Sequence, residues 1–214
     1  MSKQGILTVV SGFSGAGKGT LMKALLEKYD YALSISATTR APREGEQNGR
    51  EYFFLSKEEF EVMIEKEELI EWARYVDNYY GTPKQYVENQ LAQGKNVILE
   101  IEIQGALNVK NMFPEALLIF VTPPNAKELK NRLIGRGTED METINKRMKR
   151  AAEESQFMGQ YDYITVNDVL DDCVEDMHAT IEKASQCLAS GVRYKAEQDF
   201  GTIIKKIQEE LKEL

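Results

Sequence analysis

Short apolar, β-branched runs recur along the chain, separated by stretches whose apolar residues fall at helical spacing. Residues 6–11 (Ile-Leu-Thr-Val-Val-Ser) read as a buried strand, 96–103 as an apolar strand ending in acidic residues, 116–122 as a third core strand and 163–167 as the last. Residues 21–28 place apolar side chains at 21, 22, 25 and 26, which reads as an amphipathic helix. Helices are also expected over 126–135, 139–158 and from Asp168 or Asp171, as cap, to about residue 190. The middle of the chain is more broken. A brief alternation at 32–36 predicts a strand, 37–50 is polar and turn-rich, and 51–55 predicts a further strand. Ser56 is the expected N-cap of a helix over 57–67, and 69–75 is another strand. Residues 78–81 then turn into Thr82, expected as N-cap, with Pro83 opening a helix that Gly94 stops. Alternating strands and helices point to an α/β protein with a parallel sheet covered by helices on both faces.

The junction between the first strand and first helix carries the clearest chemistry. Gly12-Phe13-Ser14-Gly15-Ala16-Gly17-Lys18-Gly19-Thr20 places a glycine-rich loop between a strand and a helix. Glycines let successive N–H groups turn inward, the helix N-terminus adds partial positive charge, and Lys18 reaches the outer phosphates of a nucleotide. A bare turn needs neither four glycines nor a lysine. Gly12, Gly17 and Lys18 fit the P-loop pattern, whereas Gly19 stands where a hydroxyl is usual and Thr20 supplies it one residue late.

Composition narrows what else is present. At 214 residues and 42% hydrophobic, the chain has material for a sizeable core. No apolar run reaches the ~20 residues of a membrane span, and no charged-then-apolar signal peptide opens the sequence, so no membrane role is expected. Cys173 and Cys187 read as apolar helix residues rather than a disulfide, which points to the cytoplasm. His178, the single histidine, excludes a His-dependent triad. A net charge of −8 argues against nucleic acid as a partner, and it means that any cations serving phosphates must be locally concentrated. Two such concentrations exist: Arg40, Arg43 and Arg50 in the polar loop, and Arg132, Arg136, Arg147 and Arg150 in the later helices. Each could be a solvated face; arginines beside hydroxyls also suit bidentate phosphate capture.

With these stretches in view, residues 5–190 resemble the guanylate kinases. The resemblance rests on the loop at 12–20, Ser36-x-Thr38-Thr39-Arg40-x-Pro42-Arg43-x-Gly45-Glu46, Asn48-Gly49-x-x-Tyr52-x-Phe54, Ile70-Glu71-Trp72-Ala73, Asn78 to Thr82 and Arg136-Gly137-Thr138. It implies a P-loop core (1–33, 95–125 and 159–190), an inserted mixed α+β GMP-binding subdomain (34–94) and a helical lid (126–158), followed by a C-terminal helical extension (191–214). It also implies transfer of the γ-phosphoryl group of ATP to GMP with Mg²⁺. Under that resemblance Gly12 to Thr20 hold the ATP phosphates, with Lys18, Arg132, Arg136 and Arg147 as the catalytic cations. Arg40, Arg43, Tyr52 and Tyr80 hold the GMP phosphate. Glu71 takes the two N–H donors of guanine, Ser36 and Thr82 face its carbonyl, Glu100 is a second acidic contact, and Thr20 is the candidate magnesium ligand.

Three positions depart from the family pattern: Phe13 for a proline, Glu102 for an aspartate and Asp77 for a glycine. Two other readings share these motifs. Guanylate-kinase-like scaffold domains bind phosphorylated peptides but typically lose parts of the loop and lid, which this chain retains at Lys18, Arg132, Arg136 and Arg147. A kinase for another nucleoside monophosphate would lack the purpose of Glu71. The tail is expected to fray or to pack on a partner subunit.

Overall fold

The computed structural model describes residues 5–75, 77–137 and 139–213; Thr138 of the stretch at 136–138 lies outside the described residues. A five-stranded, wholly parallel sheet forms the centre, in the order β2 (Ala32–Leu33), β7 (Val97–Glu100), β1 (Leu7–Gly12), β8 (Leu117–Thr122), β9 (Tyr163–Val166). The hydrophobic run of β1 is buried on both sides because it is the middle strand; Val9 and Val10 are fully enclosed. From β1 the chain steps outward through α1 (Lys18–Lys28) to β2, while α4 (Ile103–Met112) carries it from β7 the other way, past β1, to β8. Right-handed crossovers in opposite directions put these two helices on opposite faces. The reversal beside β1 leaves a crevice at the carboxyl ends of the strands, where the glycine loop emerges.

A second, four-stranded sheet of order β4 (Phe53–Phe54), β3 (Ala37–Thr38), β6 (Asn78–Pro83), β5 (Leu69–Tyr75) is built from the middle of the chain. Its own small core is Ala37, Phe60 and Leu69. Beside it stands α2 (Lys57–Glu65), whose start is set as expected: Ser56 Oγ accepts from the Glu59 N–H while Glu59 reaches back to the Ser56 N–H.

Several boundaries differ from the pattern reading. The strand expected at 32–36 covers only β2, after which the Ser34 N–H still donates to Ile98 O of the first sheet, while β3 begins just beyond it, where Ala37, in the stretch read as a polar loop, pairs with Gly81 in the second sheet. Five residues of alternation carry no sign of which edge they will join. Residues 78–83 form β6 rather than a turn and cap, because Asn78 to Pro83 find a partner in β5; α3 (Lys84–Ala92) starts after them. The strand expected over 96–103 ends at Glu100, and Ile103, Ala106 and Val109 are the buried stripe of α4. The helix over 139–158 becomes α6 (Met141–Glu154) and a 3₁₀ turn, Ser155–Gln160. In α7 (Leu170–Ala189), Val169 occupies the cap position, and neither Asp168 nor Asp171 caps through its side chain.

Phe13, which stands where the family pattern has a proline, is fully buried and meets Phe120 edge to face at 4.9 Å, so it anchors the loop in the core. His178 stacks on Tyr29 at 3.6 Å and bonds Tyr31, so it packs α7 against the end of α1. The tail packs on its own chain. Its helix α8 (Gly201–Lys212) lies on this chain's own α5 (Ala126–Gly135), α6 and 3₁₀ turn, burying Ile207 and Leu211. Glu210 accepts from the Ala126 N–H at 2.8 Å and Gln208 donates to Ser155 O at 3.0 Å, so one helix touches both ends of the segment 126–158.

Ile207→Ala is therefore expected to destabilise the protein by about 2–4 kcal/mol, as for other buried aliphatic truncations. Chemical denaturation reads this; a change within about 0.5 kcal/mol, typical of exposed sites, would mark α8 as a loose appendage.

Candidate active site

The glycine loop leaves β1 at Gly12 and closes into α1 at Gly17, whose φ of +88° only glycine adopts without strain. Space forbids a side chain there as well, since a Cβ would come within 2.5 Å of Asn167 Nδ2. Lys18 folds back over the loop, its Nζ donating to Gly12 O at 2.7 Å and Phe13 O at 3.2 Å. Burial pushes the Lys18 ammonium below the usual lysine value, and Arg136 adds to that; Glu100, Glu102 and Glu154 oppose it. Gly19 and Thr20 sit exposed in the first turn of α1.

Three expected arginines gather on this loop from the segment 126–158. Arg132, held by Glu128 at 2.8 Å, donates to Ala16 O at 3.4 Å. Arg147, paired with Glu139, donates to Ser14 Oγ at 2.6 Å. Arg136 follows α5, exposed, and close enough to Lys18 to influence its charge. The caps of α5 and α6 fix these helices: Asn125 accepts from the Glu128 N–H and Asp140 from the Thr143 N–H. Four cations thus converge on one loop of an acidic protein.

A second cluster forms on the small sheet. Arg40 Nη2 donates to both carboxylate oxygens of Glu46, each at 2.9 Å, and the guanidinium lies over the rings of Tyr52 at 5.4 Å and Phe54 at 5.7 Å. Tyr52 in turn meets Tyr80 edge to face at 6.2 Å. The Arg43 N–H donates to Glu46 at 2.7 Å, leaving its side chain exposed.

Glu71 stands apart from the basic groups. Thr82 Oγ1 donates to its Oε1 at 2.7 Å, which corrects the expected helix-capping use of Thr82. Burial holds the Glu71 carboxyl above the usual carboxylate range, the Thr82 hydroxyl pulling the other way. Ala37 pairs with Gly81 and Gly81 with Trp72, so Thr82 and Glu71 on adjacent strands and Ser36, the residue leading into β3, occupy neighbouring positions. Glu100 ends β7 beside Val10 of β1; surrounding protein atoms raise its carboxyl, and Lys18 lowers it.

Sequence reasoning assigned no role to Asn167, Glu46 or Glu139 and did not pair Arg150 with Glu102. Asn167 is buried, and its Nδ2 donates to Ala16 O at 2.8 Å, steadying the loop from the end of β9; its place at the carboxyl edge of a predicted core strand was the available signal. Glu46 locks Arg40, Glu139 holds Arg147, and Arg150 reaches Glu102 at 2.6 Å across the crevice. Those acid partners leave no local signal, because each pair is closed by tertiary structure or by a turn.

The chain as a whole is similar to known proteins. The sequence model of the guanylate kinase family matches residues 4–184. A guanylate kinase of Caldanaerobacter subterraneus subsp. tengcongensis is 54% identical over 182 residues, covering 85% of this chain and 88% of that protein. One of Enterococcus faecalis is 47% identical over 211 residues, 98% of this chain and 100% of the relative, so that likeness runs on through the tail. The crystal structure of guanylate kinase from Anaplasma phagocytophilum superposes with a TM-score of 0.67 at 30% identity, over 86% of this chain and 87% of that one. A likeness of this length and degree, running through the glycine loop, both arginine groups and Glu71, has one meaning: the chain belongs to the guanylate kinase family.

Proposed function

We propose a division of labour among these residues for the reaction of the family, ATP-dependent phosphorylation of GMP to GDP. The observation that carries it is the convergence of Lys18, Arg132, Arg136 and Arg147 on one glycine cradle. An oxygen of the GMP phosphate attacks the γ-phosphorus of ATP, the bond from that phosphorus to the β–γ bridging oxygen breaks, and ADP leaves. The acceptor oxygen is already anionic, so no general base is needed. What the protein supplies is alignment and compensation for charge spreading over the transferred group. The backbone of Gly12 to Thr20 and Lys18 hold the ATP phosphates; Arg132, Arg136 and Arg147 lie over the transfer point. Arg40, Arg43, Tyr52 and Tyr80 take the GMP phosphate, while Glu71, flanked by Ser36 and Thr82, reads guanine with Glu100 as the second acidic contact.

Mg²⁺ is the expected companion of ATP. Among the described residues no group of three or more Asp, Glu, His or Cys side chains could hold a metal ion, so its hard oxygen ligands would come from the triphosphate, from water and from the Thr20 hydroxyl in the first turn of α1. Bound with the triphosphate, the ion would neutralise part of its charge; Thr20 is the hydroxyl that would hold it, in part through water. Two free thiols, Cys173 and Cys187, support a reducing compartment, the cytoplasm. Among the described residues no helix is long and apolar enough to cross a membrane.

We further infer that 34–94 and 126–158 close on a core of 1–33, 95–125 and 159–190 when both substrates bind, excluding water and suppressing hydrolysis of ATP. Solution scattering reads this: the radius of gyration is expected to fall with both substrates, and an unchanged value under saturation overturns closure.

The reaction is tested by ADP release from Mg·ATP with GMP, dGMP, AMP, CMP, UMP and dTMP as separate acceptors. Turnover with the guanine nucleotides alone is expected; equal rates with AMP would remove base selection. Glu71 has its own test. AMP lacks the paired donors of guanine, and an unmet buried carboxylate costs about 1–3 kcal/mol per group, or roughly 5- to 150-fold. Glu71→Gln is therefore expected to narrow the GMP-over-AMP preference by that order. The pH profile follows from the raised carboxyl of Glu71. Below that raised pKa the side chain is protonated and loses one acceptor, so the KM for GMP climbs as pH falls through a window lying above the ordinary carboxylate range. GMP's own phosphate titrates near pH 6, as phosphate monoesters do, so the wild-type-to-variant ratio is the readout. The wild-type-to-Glu71→Gln ratio of kcat/KM for GMP should shrink on acidification; a ratio flat with pH removes Glu71 from base reading. The folded protein binds this proton more tightly than the unfolded chain, so Glu71 also lowers stability as pH rises through the same window.

A further inference from the structure

Glu71 is held at two points, and only one of them is a hydrogen bond. Its Oε1 accepts from Thr82, 2.7 Å away. Its Oε2 faces the bare backbone of Gly105, in the first turn of α4, the helix that packs against β5. A Cβ built on Gly105 would lie 3.0 Å from Glu71 Oε2 and 3.5 Å from its Cδ, with Ile101 Cδ1 at 3.4 Å on another side. The 3.0 Å approach is shorter than ordinary carbon–oxygen contact, whereas the other two are ordinary packing distances, so a methyl group there fits only if the carboxylate yields by a few tenths of an ångström. Burial and the Thr82 bond both resist that shift.

Gly105 has no conformational reason to be glycine. It sits within a helix, where alanine is the better residue. The space it leaves is therefore the part that acts. We propose that Gly105 is a positioning residue for the acceptor base: by lacking a side chain it sets where Glu71 Oε2 stands, and thereby whether both oxygens meet the two N–H groups of guanine. The inference rests on the reading that Glu71 contacts the base. Hydrogen bonds weaken steeply with angle and distance, so a small displacement at a bidentate contact is costly.

The test is Gly105→Ala in the full chain, with steady-state kinetics in GMP and in ATP and a thermal melt. Expected are a KM for GMP raised about 5- to 20-fold, the loss of roughly one charged hydrogen bond, an unchanged KM for ATP, and a melting temperature equal to or above wild type. A purely structural role would lower the melting temperature and weaken both substrates together, and that result overturns the proposal. Glu71→Ala separates the two layers of inference. If Glu71→Ala alone leaves the KM for GMP unchanged, base reading by Glu71 fails, and this proposal with it. If Glu71→Ala raises it but Gly105→Ala does not, the positioning role alone fails. In the Glu71→Ala background, Gly105→Ala is expected to add nothing, since the group it displaces is gone; an undiminished effect there also overturns the proposal.

Discussion

Bringing two polyanions into contact requires positive charge, and this protein carries a net charge of −8. The arrangement of the site follows from that constraint. Its cations are few, local and held in place before any phosphate arrives. Arg40 is clamped by Glu46, Arg132 by Glu128 and Arg147 by Glu139, while Lys18 lies against the carbonyls of Gly12 and Phe13. Each clamp limits the rotamer freedom that a long side chain would otherwise lose on binding. Acidic partners on the same surface keep the cluster from repelling itself. The arginines of α5 and α6 also donate to the loop, at Ala16 O and Ser14 Oγ, so the helical segment and the cradle form one connected unit.

The cradle itself depends on the core beneath it. Phe13 projects from the loop into the aromatic group of Phe120 and Tyr161, and Asn167 ties the opposite side through Ala16 O. A glycine loop alone is permissive; a loop with one buried aromatic ring and one buried amide bond is directed. That combination lets flexible residues present a defined set of N–H groups.

Selectivity for the acceptor is built differently. It sits on short strands, where neighbouring positions on β5 and β6, and the residue leading into β3, set Glu71, Thr82 and Ser36 side by side. Burial makes Glu71 costly to leave without donors, so in the proposed base-reading role selectivity would come from an unmet need as much as from a good fit. At the far end of the molecule α8 spans both ends of the 126–158 segment through Glu210 and Gln208, which makes the tail part of the frame that carries the arginines.

The sequence by itself determined the central sheet, the cradle and the main helices. Long apolar runs such as 7–12 and 117–122 have one place to go, and the spacing of Gly12, Gly17 and Lys18 is a local pattern with a local cause. Capping at Ser56 was legible for the same reason, since its partner lies three residues away. Tertiary structure decided the rest. Residues 78–83 became a strand only because β5 lay alongside, which turned Thr82 from a helix cap into the partner of Glu71. The run at 32–38 was divided between two sheets by the partners each half met. Asn167, Glu46 and Gly105 act through what folding brings against them: the Ala16 carbonyl, the Arg40 guanidinium and the Glu71 carboxylate. Local periodicity and capping depend on neighbours in the chain, whereas pair contacts between distant residues depend on where the whole chain has gone.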